Sequence, residues 1–354
     1  MFDFRRKVVH SFAISLFDKF IAGISGIIIA RLLGPAGKGK FALITLVSSV
    51  ALSLISIGLV NAQIHLKRKY PIEKVTVNSL FIAFLAGILF LVLFLLSLSF
   101  LRGSVFKDIE LALLIIVVAF IPLQLCSLSL KRTVQSMYDI KTFNYLNTIR
   151  PVIFLVSLVA VTLVISRSLL WILLAWVFAG VVSFAISFLY VNARLRLNRD
   201  LFDRRVLKDI VLYAMKASVG GIFGFFQYRV DVFIVAYFLD AAAVGFYVVG
   251  LAVAEVLWRI PSAIINVLLP KVADSADDKV NKITPMICRE TSVLILGAGL
   301  LIFVLAHHLI NLLYGSAYQP AVAVIRWVLP GVYFISLWKI LINDFNARGY
   351  PIFY

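Results

Sequence analysis

From Ser11 to Phe345 the chain is a near-continuous series of apolar runs, each about as long as a bilayer is thick and separated by short, mostly basic connections. A membrane span needs about 20 mostly apolar residues rising roughly 1.5 Å each. Only helices and closed barrels satisfy their backbone in that medium. The runs are continuous rather than alternating, so the pattern predicts helices. They are Val8–Ala30, Phe41–Ile64, Val77–Leu101, Leu111–Leu130, Pro151–Ile165, Leu169–Val191, Val211–Phe238, Phe246–Leu269, Ser292–His307 and Val322–Asn346. The fifth is short unless the preceding Phe143–Ile149 stretch joins it. The expectation is an all-α, polytopic transmembrane bundle of about ten spans.

Composition supports this reading: 62% of residues are hydrophobic and the mean hydropathy is +1.04. The first run is too long for a signal h-region, carries Asp18 and Lys19, and has no convincing cleavage site, so no cleaved leader is expected. The net charge of +17 suggests nucleic acid until its distribution is read. With the N-terminus inside, 22 Lys and Arg fall in cytoplasmic segments and 7 on the opposite side, counting Arg326 at the head of the last run, while Lys19, Lys216, Arg229, Arg259 and Lys339 lie deeper within runs. That is the positive-inside bias, with attraction to anionic membrane lipids added. It places both termini in the cytoplasm and gives no reason to expect nucleic acid.

Catalytic chemistry has little support. Cys126 and Cys288 have no metal-like spacing, and His10, His65, His307 and His308 form no constellation with carboxylates, so neither metal nor cofactor is expected. The loops are too short for an extramembrane catalytic domain. The longest, Asn192–Asp209, reads as a basic amphipathic connector.

One stretch matches another within the chain. Ala30–Leu43 (ARLLGPAGKGKFAL) aligns with Ala236–Val249 (AYFLDAAAVGFYVV) at a constant offset of 206. Each copy joins the end of an odd-numbered span, a tight small-residue turn and the start of the next span. Six spans separate them, so both run in the same direction, as in a parallel repeat. The lobes would be residues 1–200, with six spans, and 201–354, with four. That asymmetry leads to the expectation that the second lobe is truncated.

The first hairpin, Ala30-Arg-Leu-Leu-Gly-Pro-Ala-Gly-Lys-Gly39, resembles the signature of polysaccharide exporters of the MOP superfamily, the Wzx-type oligosaccharide flippases. Tyr228-Arg-Val-Asp231, Leu239 to Tyr247, Ile260-Pro-Ser-Ala-Ile, Leu269-Pro270, Leu312 to Tyr318 and Asn346-Ala-Arg-Gly349 are similar to later landmarks of that family, in the same order. The resemblance implies a MATE-like fold of two lobes in the cytoplasmic (inner) membrane. It also implies translocation, by alternating access, of an undecaprenyl-pyrophosphate-linked oligosaccharide (an O-antigen, capsule or exopolysaccharide unit) to the outer leaflet. Glycan polymerase and chain-length machinery would be its partners. A peptidoglycan-precursor or multidrug member of the superfamily is the alternative, and a membrane polysaccharide polymerase, which needs a long external loop, is further off.

Charges inside a span are costly and mark interiors or wet cavities. Lys19, Arg229 and Arg259 are therefore the candidate sites for the pyrophosphate, Arg by bidentate contact and Lys as a point charge. Asp18, Asp231 and Glu255 are candidate counterions or coupling carboxylates; Glu255 and Arg259, four apart on one helix, also suit mutual neutralisation. Lys216 and Lys339 suit snorkelling to the headgroups. Gly220 and Gly224 suit close helix packing, and Trp258 is the aromatic to test for glycan contact.

Overall fold

The computed structural model describes residues 2–262 and 277–347; the Leu269-Pro270 and Arg348-Gly349 motifs and the chain end at Tyr354 lie outside them. Among the described residues all regular structure is helical. In chain order the helices are α1 (Phe2–Leu66), α2 (Ile72–Arg102), α3 (Leu111–Ser136), α4 (Ile140–Val164), α5 (Leu169–Leu195), α6 (Arg204–Phe238), α7 (Ala241–Ala254), α8 (Asp277–Leu313) and α9 (Ala321–Ala347). Eight stretches among the described residues are long and apolar enough to cross a membrane. The first, Ala13–Leu66, has 54 residues. That would be roughly 80 Å if straight, far more than one bilayer. It breaks at Gly34 (φ 67°, ψ −178°), a conformation that costs an L-residue but not glycine. Pro35 then opens the second arm, where its missing amide is harmless. Two arms in place of one stretch, together with the 35-residue α6, give ten membrane-length segments. The protein is a multi-pass membrane protein.

The repeat is visible in the backbone. The first copy breaks at Gly34, and the second breaks at Leu239, the C-cap of α6, with α7 resuming at Ala241. The offset of 206 carries Gly34 onto Asp240. There the Asp240 carboxylate accepts from the Ala243 amide at 2.8 Å, an N-cap where the first copy uses proline.

Two compact units are present, Met1–Val244 and Gly245–Tyr354. In the first, the two arms of α1 pack against α3, α4 and α6, while α2 pairs with α3 and α4 with α5. The α2–α3 contact is close enough that a methyl on Gly87 would come to 2.5 Å of Pro122 Cα. In the second, α8 pairs with α9, and Ser292 and Tyr333 share a 2.6 Å hydrogen bond across them. Gly250 of α7 lies directly on Val324 of α9. Gly315 (φ 93°) makes the turn between α8 and α9.

The expected amphipathic connector is instead a short irregular link with one 3₁₀ turn, Arg199–Leu201. Its own polar side chains fold it: Asn192 accepts from the Leu197 amide, Asn198 from Leu201 and Asp203 from Arg205. The Asn192 bond closes the end of α5, Asn198 caps the 3₁₀ turn and Asp203 is the N-cap that starts α6.

The link is clasped to the α1–α2 turn. Lys69 reaches Asp209 at 2.7 Å and Tyr70 donates to the same carboxylate at 2.8 Å. Lys74 pairs with Asp203 at 3.1 Å, and Asn78 bonds both Leu201 O and the Asp203 amide. The bond from Lys69, then that from Tyr70, holds the Asp209 carboxyl below the usual carboxylate range; Lys74 does the same for Asp203. A depressed carboxylate contributes stability above its unfolded pKa and loses it as pH falls through the folded value. Acidification below the ordinary Asp range should therefore loosen residues 196–209. Hydrogen exchange, corrected for intrinsic pH dependence, should show their protection falling with pH in wild type, already lower and less pH-dependent in Asp209→Asn, and flat only when Asp203→Asn is added.

Candidate functional site

Within the first unit a cavity of about 270 Å³ opens between both arms of α1, α4 and α5. Its polar groups are Lys38, Arg150 and Ser25, and its walls include Phe41, Phe154 and Trp176. Each arrives for a local reason. Lys38 sits one turn past the Gly34 break, so its stem runs back along the first arm, and its ammonium lies 3.7 Å from where a Gly26 Cβ would be. That is an ordinary van der Waals distance, so the ammonium rests against the Gly26 position of the first arm. Arg150 is in mid-helix, roughly 15 Å from the start of α4 and roughly 20 Å from its end. Pro151 follows it within the helix and removes the amide that would bond the Asn147 carbonyl. Ser25 is spent on its own backbone, donating to Ile21 O at 2.9 Å.

A third cation lies behind the cavity. Lys131 of α3 is only 7% exposed, with the Asp18 carboxylate and the Arg150 guanidinium both within electrostatic reach. None of Lys38, Lys131 and Arg150 is within ion-pair distance of a carboxylate among the described residues. Arg150 Nη2 and Asp18 Oδ1 are buried without a hydrogen bond there. Three cations and one carboxylate leave an excess of two positive charges inside a membrane-spanning bundle. An uncompensated buried charge costs several kcal/mol, of order 3–5, when its partner is taken away. This arrangement suits a site whose anion comes from outside.

The residues expected from sequence distribute as follows. Lys19 is exposed and Asp18 half-buried on the first arm of α1; Arg229 and Asp231 are half-buried on α6, which packs along α1. Asp231 accepts from the Val232 amide at 2.8 Å. Glu255 opens a 3₁₀ turn, Glu255–Trp258, at the end of α7 in the second unit, and Arg259 is its C-cap. Lys339, expected to snorkel, lies over the Trp258 ring at 4.1 Å, so that aromatic face is already covered. Lys216 is exposed on α6; Gly220 and Gly224 lie in the same helix, and their packing is outside the description.

By hydropathy Lys38, Lys131 and Arg150 fall among the loop charges. An apolar run ends where charges begin, whereas the helices continue: α3 to Ser136, α4 from Ile140, the second arm of α1 from Pro35. The available signal was that Phe143–Ile149 extends the fifth run backwards through Arg150.

Ten membrane-length segments, a repeated helix–break–helix unit and a cationic cavity within the first unit define a polytopic α-helical membrane protein. Solved structures with the same fold include the lipid II flippase MurJ in an inward closed conformation, with TM-score 0.77 and 10% identity, covering 96% of this chain and 76% of that one. An inward-facing multidrug resistance MATE transporter of the MOP superfamily matches with TM-score 0.69 and 12% identity, covering 94% and 81%. A MOP superfamily transporter from Pyrococcus furiosus, described by a binding pocket of reversed polarity, gives 0.58 at 15% identity over 96% and 80%. The fold is thus the MOP fold. A family profile described as "Polysaccharide biosynthesis protein" matches residues 28–323, and the chain belongs to that family. No curated protein matches the sequence.

Proposed function

We propose that this protein is a flippase for polyprenyl-pyrophosphate-linked oligosaccharide in the cytoplasmic (inner) membrane, working by alternating exposure of its interior to the two leaflets. The observation that carries the reading is the cation excess of Lys38, Lys131 and Arg150 in the interior of the first unit, uncompensated among the described residues. A pyrophosphate diester carries two negative charges, which matches that excess. Arg supplies a bidentate fork and Lys a mobile point charge. Membership in a polysaccharide biosynthesis family supports a glycan cargo, and the likeness to a structure described as a lipid II flippase supports a lipid-linked one. A multidrug exporter of lipophilic cations would gain nothing from a cationic cavity. Lys19, Arg229 and Arg259 remain proposed headgroup-binding residues, with Asp18, Asp231 and Glu255 as counterions or coupling groups. Glycan polymerase and chain-length machinery would act on the delivered product.

The test is reconstitution of the purified protein in proteoliposomes holding a polyprenyl-pyrophosphate-linked oligosaccharide, with exposure of the sugar read by a lectin added outside. Protein-dependent exposure is expected. Absence of exposure together with movement of a lipophilic cation would replace the flippase by a multidrug carrier.

A further inference from the structure

The cavity does not explain how one of its two cations is held. Arg150 leaves the backbone of α4 with a long side chain and, among the described residues, no carboxylate to lock it, yet its guanidinium lies 4.4 Å from the centre of the Trp176 ring and 6.0 Å from that of Phe120. These two rings meet edge to face, 6.0 Å apart at 76°. Phe120 is buried on α3, while Trp176 is on α5 and lines the cavity. Behind Phe120 lies Gly180, one helical turn from Trp176 on α5. A methyl there would come to 2.5 Å of Phe120 Cε1, so the ring occupies space that any other residue would fill. Gly180, Phe120, Trp176 and Arg150 therefore form one column running from the α3–α5 contact to the cavity wall.

We propose that this column is a positioning device. It holds the Arg150 guanidinium as the fixed half of a two-cation anion site, and Lys38 is the adaptable half. The proposal rests on the reading of the cavity as a phosphate or pyrophosphate site and adds the part that orients it. A ring face attracts a cation electrostatically and leaves the guanidinium N–H edge free for hydrogen bonding, which a carboxylate partner would consume. Trp gives the strongest such face. Lys38 has only a weaker contact of this kind: its ammonium is 5.8 Å from the Phe41 ring, near the outer limit for a cation–π pair, against 4.4 Å for Arg150 and Trp176. Anion binding thus gains a pre-oriented fork with no carboxylate on it among the described residues. Pre-organisation reduces the side-chain ordering cost on binding.

Two measurements on the full chain, purified in detergent, test this. The first is affinity for inorganic pyrophosphate by calorimetry, repeated with inorganic phosphate and with a polyprenyl pyrophosphate to separate a free anion from a lipid headgroup. Trp176→Leu, Phe120→Leu and Gly180→Ala should each weaken pyrophosphate about tenfold, a loss of about 1.4 kcal/mol. None should weaken it further when Arg150 is already Gln, and Trp176→Phe should retain most of the affinity. Equal losses with and without Arg150 would show a merely structural role and overturn the proposal. The second readout needs no ligand: the rate at which phenylglyoxal modifies Arg150, followed by peptide mass spectrometry. Release from the ring should raise that rate at least about threefold in Trp176→Leu and Gly180→Ala, in line with a cation–π contact of about 1 kcal/mol. Unchanged rates in the folded variants would overturn the clamp. If Gly180→Ala does not fold, Phe120→Leu carries the same comparison. Wild-type protein that binds none of the three probes, yet shows the labelling differences, would remove the anion-site reading and leave the clamp standing.

Discussion

Arg150→Gln should abolish delivery of lipid-linked glycan to the far leaflet while leaving membrane insertion intact. The guanidinium sits in mid-helix, faces a cavity rather than a carboxylate, and has an Nη2 with no hydrogen bond among the described residues. Neutralising it removes no internal ion pair, so the fold loses little. The loss falls on the cargo. Hydrogen bonds to charged groups contribute about 1.5–3 kcal/mol each. A bidentate fork lost from a pyrophosphate therefore costs roughly 10- to 100-fold in affinity for each bond. Arg150→Lys should keep part of the activity, because it retains charge but not the fork. Lys38→Gln should show a smaller defect of the same kind, since an ammonium on a flexible stem contributes charge rather than geometry. Lectin-detected exposure in proteoliposomes measures all three. Wild-type rates in both Arg150→Gln and Lys38→Gln would remove this cavity from the transport path and return the search to Lys19, Arg229 and Arg259.

A loss of stability rather than of transport is expected at Asp18. Its carboxylate is the acidic group within reach of Lys131, which is buried at 7% exposure and also feels the like charge of Arg150. Asp18→Asn leaves three cations with no compensating charge among those groups. Asp18 acts on Lys131 from beyond ion-pair distance, so removing its charge costs less than breaking a buried pair, about 1–2 kcal/mol at an effective dielectric constant of about 20. The variant should therefore give a markedly lower yield of monodisperse protein and an earlier thermal transition in detergent. Lys131→Met should reverse this, because the uncompensated charge is gone and the methylenes still pack. Pyrophosphate added to Asp18→Asn should partly restore stability, since a ligand that binds the folded state stabilises it by mass action. An unchanged melting curve for Asp18→Asn would mean that Lys131 is neutralised elsewhere, and the assignment of Asp18 as its counterion would fall.

Much of the architecture is legible in the chain, because a bilayer allows so few solutions. Apolar runs of spanning length must be helices, and their number follows from counting. The tight break at Gly34-Pro35 is readable because glycine and proline have strong, local conformational requirements. Its counterpart at Leu239-Asp240 is readable from the matching sequence at constant offset. The family follows from the ordered motifs, several of which are these same breaks.

The sequence could not say which charges lie inside. Lys19, Arg229 and Arg259 stand out because they interrupt apolar runs, yet Lys19 is exposed on its helix. Lys38, Lys131 and Arg150 looked like loop residues because each lies where hydropathy falls, beyond the edge of a run. Hydropathy registers side-chain transfer, whereas helix length is set by backbone hydrogen bonding, and the two need not end together. The α3 and α4 helices continue through their charged ends, and neighbouring helices close around them. Partners were invisible for a related reason. Asp18 and Lys131 are more than a hundred residues apart, and Gly180, Phe120, Trp176 and Arg150 come from three helices. Local sequence determines where a helix can exist and where it must break. Which of its faces meets a neighbour is decided by packing between segments far apart in the chain, and that packing turned charges at the margins of the apolar runs into a cationic interior.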